Sequence, residues 1–163
     1  MFDLDGKNAL VTGASGGIGR AIAETLHSSG ATVTISGTRM EPLEELANVL
    51  GERVHIVSCD LSNGVEVENL SKSALEKMGS IDILVNNAGI TRDNLFMRMS
   101  NEDWSTVLEI NLTSTMRLCR GVLRGMMKAR WARIINIGSI VGASGNPGKG
   151  KQAASQAALV GTY

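Results

Sequence analysis

A run of glycines between a strand-like and a helix-like segment constrains this chain more than any other feature. Residues 8–19 read N-A-L-V-T-G-A-S-G-G-I-G, and the apolar run over 8–12 is typical of a buried strand. Apolar residues then recur at helical spacing as far as Gly30. Glycines at such a turn let the backbone approach a bulky anion, to which the first helical N–H groups point. The pattern favours a dinucleotide pyrophosphate site, with a plain strand-to-helix turn as the alternative.

Strand-like and helix-like segments alternate along the whole chain. Strands are predicted at 8–12, 31–36, 54–59, 81–86 and 133–137. Regular alternation implies parallel strands joined by right-handed helical crossovers. We therefore expect an α/β fold with a Rossmann-type doubly wound parallel sheet in a three-layer α/β/α sandwich, built by residues 1–163 as one domain. Ser100 and Asp103 predict a helix start, and we expect the long helix that follows to break near Gly121 or Gly125.

Composition excludes several functional classes. The net charge is zero and aromatic residues make up 3% of the chain, which argues against a nucleic-acid-binding surface. No apolar run is long enough to span a membrane, and the first residues lack a secretory signal. The two cysteines, Cys59 and Cys119, have no metal-ligand spacing and form no disulfide framework, so we expect reduced thiols in a cytoplasmic protein without a metal.

The residues that follow the second and third strands bear on which nucleotide is bound. An NAD site usually places an acidic residue after the second strand, where this chain has Thr38 and Arg39. A basic residue there favours the 2′-phosphate of NADP, although Arg39 also suits a solvated loop charge. Asp60 after the third strand is suited to accept a hydrogen bond from the adenine amine, or alternatively to cap the following helix.

The fourth strand ends in two amides and a glycine, which suits backbone bracing beside a ligand, with a simple turn as the alternative. Carboxyl ends of parallel strands meet at one edge of the sheet, so all these clusters are expected to lie together. The residues predicted to bind the nucleotide are Gly13, Ser15, Gly17, Ile18, Gly19, Thr38, Arg39, Asp60, Leu61, Asn87, Ala88 and Gly89.

Four motifs taken together resemble the short-chain dehydrogenase/reductase family. They are T-G-A-S-G-G-I-G at 12–19, N-N-A-G at 86–89, Asn111 in E-I-N-L, and R-I-I-N-I-G-S at 133–139. The stretches at 86–93 and 140–148 are especially similar to those of the bacterial 3-oxoacyl-[acyl-carrier-protein] reductases. The resemblance implies a cytoplasmic homo-oligomer that uses NADP(H) in fatty acid biosynthesis. It would reduce 3-oxoacyl thioesters, carried by acyl carrier protein, to 3-hydroxyacyl thioesters.

The resemblance also implies a catalytic set of Asn, Ser, Tyr and Lys. Asn111 matches the Asn, which holds a proton-relay water, and Ser139 matches the Ser, which donates a hydrogen bond to the substrate carbonyl. The family's Tyr and Lys positions are occupied by Gln152 and Gln156. A glutamine amide has no titratable proton near neutral pH and no charge that would lower the pKa of a neighbouring acid. The sequence therefore puts the activity of this chain in doubt.

Two further features leave the function open. The chain ends before the last third of the family's sequence, so we expect a C-terminally truncated sandwich. The alternatives to an active reductase are a non-catalytic nucleotide-binding or regulatory module, or a truncated fragment of the reductase. A basic cluster of Arg124, Lys128, Arg130 and Arg133 is either a solvated face or, as the resemblance implies, a docking surface for acyl carrier protein.

Overall fold

The structure, a computed structural model, describes residues 3–161 and contains five parallel strands in one sheet. The strands are β1 (Asn8–Thr12), β2 (Thr32–Gly37), β3 (Val54–Ser58), β4 (Ile83–Asn86) and β5 (Arg133–Asn136). The α-helices are α1 (Gly17–Ser28), α2 (Met40–Leu50), α3 (Gly64–Met78), α4 (Asn101–Leu108), α5 (Ser114–Ala129), α6 (Val141–Ser144) and α7 (Gly150–Val160). A 3₁₀ turn at Phe96–Arg98 precedes α4, and a π-helical turn at Glu109–Thr113 joins α4 to α5.

The strand order β3-β2-β1-β4-β5 confirms the doubly wound α/β fold that the alternation predicts. The chain builds from β1 through β2 to β3 at one edge, and then returns so that β4 pairs with the other side of β1. The direction of winding therefore changes between β1 and β4. In open sheets of this kind the crevice at the carboxyl end of such a switch point is where ligands bind.

Two apolar cores cover the two faces of the sheet. Along β1, Ala9 and Val11 belong to the core that includes Leu43 of α2, whereas Leu10 belongs to the core that includes Leu70 of α3. Successive side chains of a strand point to opposite faces, so a strand that is buried on both faces is apolar at every position. This explains why β1 reads as a continuous apolar run rather than as an alternating pattern.

Capping side chains fix the starts of two helices. The Ser100 hydroxyl accepts a hydrogen bond from the Asp103 N–H at 3.1 Å, which confirms the helix start predicted there. At α3 the cap is Asn63, whose side-chain oxygen accepts hydrogen bonds from Val65 N–H and Glu66 N–H. The alternative role for Asp60 as the cap of this helix is therefore wrong.

The long helical region is interrupted, but not at the predicted glycines. Gly121 and Gly125 lie inside α5, and the break is the π-helical turn at Glu109–Thr113. In this turn the Ser114 hydroxyl donates to the Ile110 carbonyl at 2.6 Å, and the Thr115 hydroxyl donates to the Asn111 carbonyl at 3.3 Å. Side-chain hydroxyls thus bond carbonyls of the widened turn, whereas glycine within a helix does not by itself end it.

Close packing of α3 against α5 accounts for one of the two glycines. A Cβ atom at Gly121 would lie 2.7 Å from the Ser71 hydroxyl oxygen on α3, and nothing lies within 4 Å of such an atom at Gly125. Gly121 therefore allows two helices to approach each other, and it is not a helix breaker.

Candidate functional site

A cavity of about 290 Å³ lies at the carboxyl ends of the central strands, beside the switch point between β1 and β4. Its lining combines the strand ends and the loops that follow them: Thr12, Gly13, Ser15, Ser36, Gly37, Thr38, Cys59, Asp60, Leu61, Asn87, Ala88, Gly89, Ile90 and Ile110. Eight of the residues predicted to bind the nucleotide are among them. Gly17, Ile18, Gly19 and Arg39 are outside this lining.

Two glycines of the turn are held in close packing. Gly13 has a φ of 65°, and a Cβ atom there would lie 2.8 Å from the Cα atom of Ala88. A Cβ atom at Gly19 would overlap the Gly13 carbonyl oxygen and the side-chain amide of Asn87. A side chain at either position would therefore force the β1 and β4 loops apart.

The other side of the turn is open. Nothing lies within 4 Å of a Cβ atom built at Gly16 or Gly17. Helix α1 begins at Gly17, no side chain caps it, and its first turn contains no acidic residue. Its first N–H groups and the positive end of its dipole are therefore available to an anion. The helix begins two residues after Ser15, which lines the cavity.

Thr12 ties the two central strands together at the cavity. Its hydroxyl oxygen accepts hydrogen bonds from Asn87 N–H at 3.1 Å and Ala88 N–H at 3.2 Å. The Asn87 side-chain amide returns to the β1 end, donating to the carbonyls of Thr12 at 3.0 Å and Gly13 at 3.2 Å. Sequence reasoning missed Thr12, although a hydroxyl at the last strand position before the glycine turn was the available signal.

Asp60 is the one ionisable carboxylate in the cavity lining. Its Oδ1 accepts hydrogen bonds from the Ser62 N–H at 2.9 Å and the Ser62 hydroxyl at 2.8 Å, and the residue is exposed. The neighbouring Cys59 is buried, and this burial raises the pKa of its thiol to about 12, with the carboxylates of Glu66 and Asp60 adding to the shift. Cys59 therefore remains a neutral thiol at physiological pH.

Arg39 lies next to this cavity without lining it. It is the residue before the first turn of α2, and its side chain is exposed. Its neighbour Thr38 is part of the lining. The position is open to a ligand group that extends beyond the end of β2.

Asn111 connects the π-helical turn to the cavity wall. Its Oδ1 accepts a hydrogen bond from Ile90 N–H at 2.8 Å, and its Nδ2 donates to the Ile90 carbonyl at 3.0 Å. Asn111 is 3% exposed. Its side chain therefore fixes a residue of the cavity lining from behind.

The remaining predicted catalytic residues lie elsewhere. Ser139 and Gln156 line a second cavity of about 460 Å³, and Gln152 lines neither cavity. The Ser139 hydroxyl oxygen accepts a hydrogen bond from Val141 N–H at 3.3 Å. The side-chain oxygens of Gln152 and Gln156 are buried and have no hydrogen-bond partner. Asn136 also lines the second cavity, and its Oδ1 accepts a hydrogen bond from Asn86 Nδ2 at 2.8 Å.

Two lysines at the start of α7 are held by carboxylates of other elements. Lys149 Nζ lies 2.5 Å from Asp93 Oδ2, after β4. Lys151 is 1% exposed, and its Nζ lies 3.9 Å from Asp103 Oδ2 on α4. Lys149 thus ties the start of α7 to the segment between β4 and α4, whereas Lys151 faces α4 at a distance too long for a hydrogen bond.

The described part of the chain offers neither a metal centre nor a membrane-spanning helix. Within residues 3–161, no group of three or more His, Cys, Asp or Glu side chains is placed to hold a metal ion. Of the helices in this part of the chain, none combines the length and apolar character that crossing a bilayer requires.

Comparison with known proteins agrees with this geometry. The family described as short chain dehydrogenase matches residues 7–163. The chain is 55% identical over 161 residues to Nodulation protein G of Rhizobium sp. (strain N33), and 49% identical over 160 residues to the 3-oxoacyl-[acyl-carrier-protein] reductase FabG of Vibrio cholerae. The alignments cover 99% and 98% of this chain but 66% of each relative, so the chain spans slightly less than two thirds of their length.

A solved structure is similar as well. The crystal structure of a short chain dehydrogenase/reductase from Burkholderia phymatum in complex with NAD matches with a TM-score of 0.93 and 33% sequence identity. The match covers 99% of this chain and 59% of that chain.

Proposed function

The chain belongs to the short-chain dehydrogenase/reductase family, and on this premise we propose that residues 1–163 form a single NADP(H)-binding domain of a 3-oxoacyl-[acyl-carrier-protein] reductase. The observation that carries the proposal is the cavity at the switch point, lined by eight residues that the sequence assigns to the nucleotide. Oxidoreductase chemistry follows from the family. We propose in addition the substrate, the cofactor preference and the partners.

The residues present fit a dinucleotide. The open face at Gly16 and Gly17, beside the uncapped start of α1, offers backbone N–H groups to a pyrophosphate. Asp60 and Leu61 would hold the adenine, and Ala88 and Gly89 would line the path towards the nicotinamide. When bound, the nicotinamide supplies the hydride that reduces a carbonyl.

We propose NADP(H) over NAD(H) because Thr38 and the exposed Arg39 follow β2, where an NAD site usually has an acid. The test is a competition titration of NADPH and NADH against the wild-type chain and Arg39→Ala. Loss of one exposed charge contact to phosphate should weaken NADPH binding about tenfold and leave NADH binding unchanged. Arg124→Ala, an exposed arginine on α5, is the control. Equal affinity for both nucleotides, or an equal effect of both substitutions, would overturn the preference.

The residues proposed for the chemistry are incomplete in this chain. In the proposed reductase, Ser139 donates to the substrate carbonyl and stabilises the charge that develops on its oxygen. Asn111 holds the relay water, but no titratable proton donor exists at Gln152 and no cation at Gln156. We therefore expect the chain to bind NADPH and to reduce 3-oxoacyl thioesters slowly or not at all.

A second candidate function is a non-catalytic nucleotide-binding or regulatory module, or a fragment of the reductase. It is favoured by the two buried glutamine oxygens that have no hydrogen-bond partner. Parallel assays of NADPH binding and of NADPH oxidation with a 3-oxoacyl thioester discriminate the two. Binding with oxidation at the rate of a reductase of the family supports the enzyme, and binding without oxidation supports the module.

The proposed partners are acyl carrier protein and further copies of this chain, in the cytoplasm. Arg124, Lys128, Arg130 and Arg133 are all exposed, which leaves this basic cluster accessible to an acidic partner. Association steered by such charges weakens as the salt concentration rises. A pull-down of acyl carrier protein that does not change between 50 and 500 mM salt, or is absent, would overturn this assignment; the two concentrations span roughly a threefold change in Debye length.

A further inference from the structure

Ser155 is a buried residue whose hydrogen bonds none of the proposed roles uses. It lies in α7 and is 0% exposed. Its hydroxyl donates to the Gln152 carbonyl at 3.0 Å. The hydroxyl oxygen also accepts a hydrogen bond from Asn111 Nδ2 at 3.3 Å. The side chain therefore links α7 to the π-helical turn through a fully buried contact.

The Asn111 amide depends on this contact for its second Nδ2 proton. One side of the amide is used by Ile90, whose N–H donates to Oδ1 and whose carbonyl accepts from Nδ2. A side-chain amide has two N–H donors, and Ser155 is the acceptor for the remaining one. Removal of the Ser155 hydroxyl would leave a buried donor without a partner, which costs more than the loss of an ordinary hydrogen bond.

The effect of Ser155 reaches the first cavity through a short chain of contacts. Ile90 lines that cavity, and Asn111 fixes the Ile90 backbone from the opposite side. An ideal Cβ atom at Gly89, the preceding residue, would lie 3.3 Å from Asn111 Oδ1, so the amide packs directly behind the wall. A wall held in its binding geometry before the ligand arrives loses less entropy on binding.

We propose that Ser155 is a positioning residue of the nucleotide site, which acts through Asn111 on the backbone of Ile90. The inference rests on the proposed function, because it takes the cavity that Ile90 lines to be the nucleotide site. It makes α7, the helix that carries Gln152 and Gln156, a support for the cavity wall as well as a carrier of the family's catalytic positions.

The structure offers a matched control for this inference. Ser71 on α3 is also buried, and its hydroxyl donates to the Glu68 carbonyl three residues earlier at 3.0 Å. Ser155 and Ser71 thus share the same intrahelical hydrogen bond at the same distance, and only Ser155 contacts Asn111. Ser155→Ala and Ser71→Ala therefore remove the same local bond and differ in the contact under test.

The first readout needs no ligand. Amide hydrogen exchange of Ile90, followed by NMR, should be about three- to tenfold faster in Ser155→Ala, the range that one net hydrogen bond predicts, and unchanged in Ser71→Ala. Ser155→Cys keeps nearly the same volume with a weak acceptor, so its exchange rate should be intermediate. If Ser155→Ala does not fold, the Cys variant decides the question. An Ile90 exchange rate equal to that of the wild type in the folded variant would overturn the inference.

The second readout is the dissociation constant of NADPH in a double-mutant cycle with Asn111→Ala. Ser155→Ala should weaken binding about three- to tenfold in the wild-type background and add no further loss once Asn111 is truncated. Additive losses would show that Ser155 does not act through Asn111. A wild-type chain that binds no NADPH would refute the proposed function, while the Ile90 exchange rates would still decide the positioning role.

Discussion

The two cavities at the carboxyl end of the sheet differ in how fully their polar groups are satisfied. At the first, Thr12, Asn87 and Asn111 each hold backbone groups of the lining through two or more hydrogen bonds. At the second, Asn136 and Ser139 each accept one hydrogen bond, but the Gln156 side-chain oxygen is buried without a partner. Of the five buried side-chain atoms in residues 3–161 that lack a hydrogen-bond partner, three lie on α7.

This difference implies that nucleotide binding and catalysis depend on different cavities at the same end of the sheet. The first cavity is preorganised by contacts between β1, β4 and the π-helical turn, which all lie within the chain. The second contains Gln156, whose buried side-chain oxygen has no hydrogen-bond partner. We expect such a chain to bind a nucleotide at the first cavity even if the second does not support catalysis.

The largest expected effect concerns the two glutamines of α7. Gln152→Tyr with Gln156→Lys restores a proton donor and a neighbouring ammonium, and a positioned general acid supplies about 10²- to 10⁴-fold in rate. Because the chain spans 66% of its curated relatives, the change is best made in a chimera that carries the final third of such a relative. NADPH oxidation with a 3-oxoacyl thioester should rise by that factor over the unsubstituted chimera.

The control for this experiment is the same double change in the chain of 163 residues, which should stay near background. High activity of the unsubstituted chain or chimera would contradict the account, because it would show that Ser139 and Asn111 suffice without a side-chain acid. The proposed difference between the two cavities would then not extend to catalysis.

The next effect concerns the glycine turn of the first cavity. Gly19→Val should reduce NADPH binding to below detection in a calorimetric titration, since its side chain would overlap the Gly13 carbonyl and the Asn87 amide. Gly125→Val introduces the same side chain into α5, where a Cβ atom meets nothing within 4 Å. Its affinity should match the wild type, and intact binding by Gly19→Val would remove the basis of the site assignment.

The fold was predictable because the central strands β1, β2 and β4 are buried on both faces, whereas the edge strands β3 and β5 are partly exposed. The apolar run over β1 and the helical spacing in α3 follow directly from that burial, and the strand ends agree within two residues. The π-helical turn was not predictable from glycine positions, because it lies at Glu109–Thr113, where the neighbouring Ser114 and Thr115 hydroxyls bond its carbonyls. Helix propensity alone predicts an interruption at Gly121 or Gly125, and both lie inside α5.

A smaller effect is expected on stability rather than on binding. Thr12→Val keeps the shape of the side chain but leaves the N–H groups of Asn87 and Ala88 without their acceptor. The free energy of unfolding should fall by about 2 kcal/mol in urea denaturation. Thr34→Val is the matched control, because its buried hydroxyl has no hydrogen-bond partner, and it should be neutral or stabilising. Equal losses in both variants would show that the bonds made by Thr12 contribute nothing specific.

The smallest expected effect is the pH dependence that Cys59 brings to the first cavity. Its raised pKa of about 12 favours the neutral thiol in the folded state, whereas the unfolded chain ionises this group at lower pH. Its contribution to stability is therefore complete at neutral pH and declines as the pH rises from about 9 towards 12. Urea unfolding at pH 8 and pH 10 should show a smaller decline for Cys59→Ala than for the wild type. An identical decline in the two proteins would contradict this assignment.

The position of the candidate cavity was predictable at the level of strand ends, since parallel strands bring their carboxyl ends to one edge. Gly13, Asp60 and Ala88, which the sequence places at strand ends, all line it. It did not reveal Thr12, Ile90 or Ser155, whose roles depend on contacts between residues 21 to 76 positions apart. Such pairs have no local pattern, because their spacing is set by the sheet order and not by the period of one helix or strand.

The most direct test of the account is a titration of the ¹⁵N-labelled chain with NADPH, observed by amide chemical shifts. We expect saturable changes that are largest at Gly13, Asp60 and Ala88 of the first cavity, and smaller changes at Gly142 and Ala157 of the second. A titration without saturable changes, or with the largest changes around Gly142 and Ala157, would contradict the claim that the switch-point cavity is the nucleotide site.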